Sequence, residues 1–181
     1  LANIILLQKT DKPLEKEAEA FVSEEKGVAN VQEAIAGAQD ILAEAVSDEA
    51  DYRIRIRKMT VKSGSISSSA KKEGESSVYE MYYEFDEALS KVAGHRTLAI
   101  NRGEKEKILT VKIEAPVDDI IAYLKKKVIT NDNPNTNDVL AGAIEDAYDR
   151  LIAPAIEREI RNDLTEKAED GAIKVFGKNL E

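Results

Sequence analysis

The stretch Asn30-Val-Gln-Glu-Ala-Ile-Ala-Gly-Ala-Gln-Asp-Ile-Leu-Ala-Glu-Ala45 indicates the fold class of this chain. Its apolar residues recur at helical spacing. Asn30 and Glu33 have the spacing of a capping box, in which two side chains satisfy orphan backbone N–H groups where a helix begins. We therefore predict a helix that opens at Asn30. Its apolar face consists of Val31, Ala34, Ile35, Ala38, Ile41, Leu42 and Ala45.

Helical patterns also lie on both sides of that stretch. One runs from Leu14 to Val22 after Pro13, and a shorter one is expected between Asp86 and Val92. The others are predicted from His95 to Glu106, from Pro116 to the turn cluster 131–135, and from Asp138 onward as one long amphipathic helix. Because proline removes a backbone N–H, we expect Pro154 to kink or divide that last helix.

Strand signals are fewer. Leu109, Val111 and Ile113 alternate with polar residues and predict a strand, and Ser65–Ser69 forms a second, shorter candidate inside the Ser-rich loop 63–77. Residues 52–61 fit a strand or a helix, and their β-branched side chains favour the strand slightly. The predicted fold class is mainly α, a multihelical scaffold with a small two-stranded β element. Within residues 1–181 we expect a helical scaffold (1–62 and 136–180) and a small α+β insert (63–130).

Composition excludes several kinds of site. The 181 residues carry 26 basic and 35 acidic side chains, which gives a net charge of −9. We therefore expect no general electrostatic attraction to nucleic acid, and any binding must use a local basic patch. The absence of cysteine removes disulfides and thiolate chemistry, and the single histidine, His95, excludes a multi-histidine metal site. No apolar run is long enough for a membrane span. We expect a cytoplasmic protein with no membrane partner and no cofactor.

Catalytic patterns are weak. The carboxylate pairs Asp118-Asp119, Glu24-Glu25 and Glu169-Asp170 fall at helix starts or on polar faces, where a negative charge is simply solvated. The serines 65–69 lack the glycine frame of a nucleophile elbow, and the sequence contains no glycine-rich phosphate loop. We therefore expect no enzyme activity.

Basic residues form two islands in this acidic chain. Residues 51–72 hold seven basic residues against one acid, whereas residues 1–50 hold four against eleven. The second island holds five basic residues between Arg96 and Lys112 against Glu104 and Glu106. If the fold brings the islands together they could contact phosphates; otherwise they neutralise the acidic helices around them. The candidate phosphate contacts are Arg53, Arg55, Arg57, Lys58, Lys62, Arg96, Arg102, Lys105 and Lys107.

The aromatic residues near the second island are expected to serve the core. Tyr79, Tyr82, Tyr83 and Phe85 are interleaved with glutamates rather than with basic residues, so they do not form a nucleic-acid stacking surface. His95 could hydrogen-bond a phosphate, but a structural role that ties the turn at Gly94 to nearby backbone is favoured.

The segment His95-Arg-Thr-Leu-Ala-Ile-Asn-Arg-Gly-Glu-Lys-Glu106 closely resembles the His-Arg-x-Leu-Ala-x-x-Arg-Gly-Glu-x-Glu segment of the Tex family of bacterial transcription accessory proteins. Further stretches resemble the same family in the same order. They are residues 21–27 running into 31–44, residues 83–86, and residues 147–159.

That resemblance implies an N-terminal, largely helical region with helix-turn-helix-like character, followed in the family by a ribonuclease H-like domain, helix-hairpin-helix elements and an oligonucleotide-binding-fold domain that binds RNA. It implies that this chain is a piece of a longer protein and that the piece ends before the ribonuclease H-like domain. The main nucleic-acid-binding surface would then lie outside this chain. It also favours a helix over residues 52–61.

Two functions follow as expectations. The first is a scaffold region of an RNA-binding transcription accessory protein, in which this chain makes only weak phosphate contacts. The full-length protein would then bind nucleic acid (RNA or DNA) mainly through its other regions. The alternative is a protein–protein interaction module that contacts RNA polymerase, other transcription proteins or other domains of the same chain.

Overall fold

A computed structural model describes residues 1–180. The helices are α1 (Ala2–Leu7), α2 (Leu14–Glu19), α3 (Val31–Asp48), α4 (Ala50–Ser63), α5 (Gly94–Lys105), α6 (Val117–Val128), α7 (Asn137–Asp146) and α8 (Ala153–Leu180). The strands are β1 (Ser65–Ala70), β2 (Glu84–Ala88) and β3 (Leu109–Glu114). Single 3₁₀ turns lie at Glu24–Lys26 and Glu80–Tyr82. The mainly α fold class is confirmed.

Helix α3 begins with the predicted Asn30 cap, and the Glu33 side chain reaches back one residue further than in a standard capping box. The backbone N–H of Glu33 donates to Asn30 Oδ1 at 2.9 Å, and the backbone N–H of Ala29 donates to Glu33 Oε2 at 2.7 Å. Ala34, Ala38 and Leu42 of the predicted apolar face are buried. Ile41 and Ala45 of that face are exposed, and Ala43 and Val46 are buried instead, so the buried face is rotated from the predicted one.

Helix α4 replaces the strand that propensity favoured over residues 52–61. Ile56 and Thr60, one helical turn apart, are both buried, and the Thr60 hydroxyl donates to the Ile56 carbonyl at 2.8 Å. Tertiary burial of this face therefore outweighs the preference of β-branched residues for strands.

The sheet has three antiparallel strands in the order β2-β1-β3, so the two-stranded prediction was wrong. The added strand, β2, covers residues 84–88, where a short helix was predicted to begin at Asp86. Ser68 of β1 lies opposite Phe85 of β2 on one side and opposite Val111 of β3 on the other. The Phe85 ring also packs edge-on against the buried Tyr82, with ring centroids 5.3 Å apart. The pairing with β1, together with this local ring contact, selects the strand.

The long C-terminal helix is interrupted before Pro154. Residues Ala147–Ile152 form a π-helical segment, and α8 starts one residue before the proline. Because Pro154 has no backbone N–H, the carbonyl four residues earlier loses its helical partner, and a locally widened turn accommodates the break. The predicted division is confirmed. The predicted helix 14–22 is shorter than expected, since α2 ends at Glu19.

The chain divides into two units. The first comprises Leu1–Ile54 and Val117–Pro154, and the second comprises Arg55–Pro116 with the chain from Ala155 onward. The sequence-based division set residues 1–62 and 136–180 against residues 63–130. It differs from the observed units in the assignment of residues 55–62, residues 117–130 and most of α8. Local composition does not reveal that α6 packs with α7 or that α8 packs with the sheet.

Each unit has its own core. In the first, Leu124, Ile144 and Ile152 are fully buried, and Gln39 Nε2 on α3 donates to the Val139 carbonyl on α7 at 3.2 Å. In the second, Ile66 and Ile100 are fully buried beside the sheet. Across residues 1–180, no helix is sufficiently long and apolar to cross a bilayer.

Candidate nucleic-acid interface

Two of the arginines predicted to contact phosphate are bound within the protein. Arg53 donates to the Ser47 carbonyl and, at 2.7 Å, to the Ser47 hydroxyl, where α3 passes into α4. Arg57 forms ion pairs with Glu159, at 3.2 Å, and with Asp163, both on α8. These guanidinium groups hold helices in place, and we no longer expect them to contact phosphate.

The other cations of α4 share one exposed face. At 100° per residue, Arg55, Lys58 and Lys62 lie about 100–160° around the helix axis from Arg57. All three are exposed, and within the described part of the chain none has a hydrogen bond or an ion pair from its side chain. We call these three residues the α4 stripe. They are available to an anion in solution.

Helix α8 separates the basic residues of α4 from those of α5. Its residues Glu159 and Asp163 meet α4, whereas Arg161 and Thr165 meet α5, and the two pairs lie roughly 120–160° apart around α8. Since the α4 stripe faces away from Arg57, it also faces away from α8. The structure therefore does not join the α4 stripe to the cations of α5. Lys71, at the other end of the first island, does lie next to the second island, because its backbone N–H donates to the Ile108 carbonyl at 2.9 Å.

Several residues of the segment 95–106 serve to dock α5. Asn101 Nδ2 donates to Thr165 Oγ1 at 2.8 Å, and Arg161 donates to both carboxylate oxygens of Glu104. Gly103 is buried, and a Cβ there would come within 2.5 Å of the Leu109 side chain. Polar and small residues of the segment thus fix α5 to α8 and β3.

The remaining cations of the second island differ in exposure. Arg96 is half-buried, with its guanidinium carbon 5.6 Å from the centre of the Phe85 ring, which is a cation–π geometry. Arg102, Lys105 and Lys107 are exposed at the end of α5. Glu106, in the same segment, accepts a hydrogen bond from Tyr79 and thereby raises the pKa of that phenol.

His95 is exposed at the start of α5. Among residues 1–180 its imidazole has no hydrogen-bonding partner, so the favoured structural tie at Gly94 is not formed by this side chain. Gly94 instead lies against α8, where an added Cβ would be 3.2 Å from the Ala168 Cα.

The open face of the sheet is acidic. Lys112 lies opposite Ser67, and Ser67 in turn lies opposite Asp86. Glu84 and Glu114 are exposed on the same face. Three carboxylates against one lysine disfavour phosphate, so this sheet face is not part of the candidate interface.

The carboxylate pairs lie on the surface, as the sequence indicated. Asp118 and Asp119 occupy the first turn of α6, and both are exposed. Throughout residues 1–180 there is no group of three or more histidine, aspartate or glutamate side chains that could hold a metal ion.

Sequence reasoning missed the structural roles of Arg57 and Arg161. Their partners lie 102 and 57 residues away along the chain, and no local pattern marks such pairs. It also missed a pocket in the first unit, because the residues that form it come from five separate helices and from the segments that follow three of them.

Comparison with known proteins places the chain in context. The family model described as Tex central region-like matches residues 8–176. The chain is 51% identical to the protein YdcI of Bacillus subtilis, over 99% of this chain and 26% of that protein. It is 31% identical to the human S1 RNA-binding domain-containing protein 1, over 86% of this chain and 17% of that protein. It is 25% identical to the transcriptional accessory protein Tex of Neisseria gonorrhoeae, over 97% of this chain and 24% of that protein.

The chain thus spans about a quarter or less of the length of these relatives. The matching family model is described as a central region. The placement of this chain at the N-terminal side of the family's proteins stays a prediction.

Proposed function

This chain belongs to the Tex central region-like family, and we propose that it is a helical scaffold of a nucleic-acid-binding transcription accessory protein that also makes weak, sequence-independent phosphate contacts. The observation that carries the proposal is the α4 stripe. Arg55, Lys58 and Lys62 point away from α8, are exposed, and have no partner among the described residues.

The geometry of the stripe suits a phosphate backbone. With a rise of about 1.5 Å per residue, Arg55 and Lys62 are roughly 10 Å apart along α4, with Lys58 between them. Flexible cations in a row position a protein on a backbone without reading bases. We therefore expect contact with about three phosphates and no sequence preference.

Binding through the stripe should be weak. The chain has a net charge of −9, and the open sheet face adds acidic groups to the unit that carries the stripe. Tight binding by the whole protein must then come from other regions. This is consistent with a chain that covers 17% and 24% of the length of two relatives named for RNA binding and for transcription.

The test is fluorescence anisotropy with labelled duplex DNA and single-stranded RNA at low salt. The variant Arg55→Gln, Lys58→Gln, Lys62→Gln should lose most of the binding, because glutamine keeps the helix and removes the charge. The matched control replaces Lys9, Lys12 and Lys16, three exposed lysines of the first unit, by glutamine and should bind like the parent chain.

A separate triple variant, Arg102→Gln, Lys105→Gln, Lys107→Gln, measures the contribution of the α5 end. The proposal predicts a smaller loss here, because Glu104 and Glu106 lie among these cations. If the parent chain shows no binding at low salt, or if all three triple variants bind equally, the phosphate-contact proposal is wrong.

A second candidate function is protein–protein interaction. It is favoured by Ile173 and Val175 near the end of α8, whose surfaces are 69% and 61% exposed. Beside them, Leu98 of α5 and small residues of α8 line a groove of about 590 Å³. RNA polymerase, another transcription protein or another part of the full-length chain could use this surface.

We further propose that the chain has no enzyme activity and acts in the cytoplasm. The exposed positions of its carboxylate pairs support the first point, since acid–base catalysis needs protected, converging groups. Nuclease activity that copurifies with the pure chain and disappears in a carboxylate variant would overturn it.

A further inference from the structure

The first unit contains a pocket of about 290 Å³ that the phosphate-contact proposal does not use. Its floor is apolar and is formed by buried residues of three helices, Leu42 and Val46 of α3, Val128 of α6, and Leu140 and Ala143 of α7. Pockets of this kind, with an apolar floor and a few polar groups, are the usual form of small-molecule sites.

Four polar side chains surround this floor. They are Glu49, Tyr52, Lys127 and Thr130. Within residues 1–180 none of the four side chains forms a hydrogen bond or an ion pair with another residue. Burial and the nearby Glu49 carboxylate raise the pKa of Tyr52, so its hydroxyl stays a proton donor at neutral pH.

The walls of the pocket are held in place by Gln8. This buried residue has a left-handed backbone conformation, with φ of 56°, and its side-chain nitrogen donates to the Val128 carbonyl at 2.8 Å. Its side-chain oxygen accepts from the backbone N–H groups of Thr130 and Asn131. The pocket is thus formed before any ligand arrives, which lowers the entropic cost of binding.

The charges at the rim limit the ligand. An anion would meet the Glu49 carboxylate, and a cation would meet the Lys127 ammonium group. A purely apolar molecule would leave four polar side chains without partners and partly desolvated. The arrangement therefore suits a molecule with no net charge that has an apolar ring face and both donors and acceptors around the ring.

We propose that this pocket binds a nucleobase, with the ring on the apolar floor and the hydrogen-bonding edge toward Glu49, Tyr52, Lys127 and Thr130. A volume of about 290 Å³ lies at the small end of ligand pockets and suits one base rather than a dinucleotide. The base could come from a free nucleoside or from an unstacked position in a strand.

The test follows backbone amide signals by NMR while uncharged nucleosides are added to the chain. We expect saturable shifts at Ala45, Val46 and Thr130, with one nucleoside binding most tightly. Indole, a ring of similar apolar character with a single donor, should bind at least about tenfold more weakly. A dinucleotide arm shows whether a base within a strand also enters.

Ala45, an exposed residue of α3 that lines the pocket, offers a blocking variant. Ala45→Leu should weaken nucleoside binding about tenfold by filling the mouth. Ala36→Leu is the matched control, because Ala36 is exposed on the opposite face of the same helix. Glu49→Gln should change which nucleoside binds most tightly, because a carboxylate only accepts hydrogen bonds whereas the glutamine amide both donates and accepts them.

The proposal is overturned if no nucleoside gives saturable shifts, if indole binds as tightly as the best nucleoside, or if Ala45→Leu and Ala36→Leu bind alike. Nucleosides carry no phosphate, so any of these results leaves the proposal for the α4 stripe unaffected.

Discussion

Arg161 on α8 donates hydrogen bonds to both carboxylate oxygens of Glu104 on α5, with nitrogen–oxygen distances of 2.8 and 3.2 Å. The same guanidinium also donates to Asn101 Oδ1 at 2.9 Å. One arginine therefore fixes two polar residues of the segment that resembles the Tex pattern. Glu104, a specified position of that pattern, therefore has a structural role in docking α5 on α8.

Replacing Arg161 should destabilise the second unit. The Arg161 side chain is 17% exposed, so Arg161→Ala removes partly shielded charged hydrogen bonds and should lower the free energy of unfolding by about 1–2 kcal/mol. Arg158→Ala, at an exposed position on the same helix, is the control and should change it by less than about 0.5 kcal/mol. Urea unfolding followed by circular dichroism measures both, and equal losses would contradict the assigned role.

Arg57→Gln should separate stability from binding. The side chains of Arg57, Glu159 and Asp163 are each more than a third exposed, so the loss of both ion pairs should cost only about 0.5–1 kcal/mol. Nucleic-acid affinity at low salt should fall far less than in Arg55→Gln, because Arg57 is paired with α8 whereas Arg55 faces solvent and has no partner in the described part of the chain. A larger loss of affinity in Arg57→Gln would show that this arginine is a phosphate contact after all.

Gly64 should not tolerate a side chain. An added Cβ would lie 2.4 Å from the Thr60 carbonyl oxygen and 2.8 Å from that of Glu114, and both atoms are backbone. Gly64→Ala should therefore destabilise the chain by about 1–3 kcal/mol. Gly37→Ala, within α3 where a Cβ meets nothing within 4 Å, should instead stabilise it by about 0.5–1 kcal/mol. Thermal unfolding of the two variants checks the opposite signs.

Acid should weaken one surface ion pair of the first unit. The Arg150 guanidinium lowers the pKa of Asp146 below its ordinary value of 3.8. Because the pKa of Asp146 is lower in the folded state, the ion pair stabilises the fold at pH values above the ordinary pKa. This stabilisation is lost as the pH falls through the pKa of the folded state. Carboxyl NMR titration should show Asp146 titrating below 3.8, and Arg150→Gln should move it upward. An unchanged midpoint in that variant would exclude the pair as the cause.

The fold could be predicted wherever local pattern and tertiary burial agree. Asn30 and Glu33 form the predicted cap, and Leu109 and Val111 form the predicted strand with buried side chains. Residues 84–88 were missed because the strand exists only through pairing with β1, which lies more than a dozen residues away. Pairing of that kind leaves no local periodicity.

The candidate site shows the same division. The sequence located nine basic candidates but could not show which of them face solvent. That depends on the side of the helix on which each residue lies and on partners that are distant in sequence. Arg53 and Arg57 are used by Ser47, Glu159 and Asp163, whereas Arg55 is not. The pocket in the first unit had no signal in the sequence, since Gln8, Glu49 and Lys127 meet only in the folded chain.

The salt dependence of nucleic-acid binding tests the central claim most directly. If the α4 stripe neutralises about three phosphates, the logarithm of the binding constant for duplex DNA should fall with the logarithm of the salt concentration at a slope of about −3. The variant Arg55→Gln, Lys58→Gln, Lys62→Gln should then show a much shallower slope, set by the smaller contribution of the α5 end. The same slope in the variant and in the parent chain would contradict the proposed phosphate contacts.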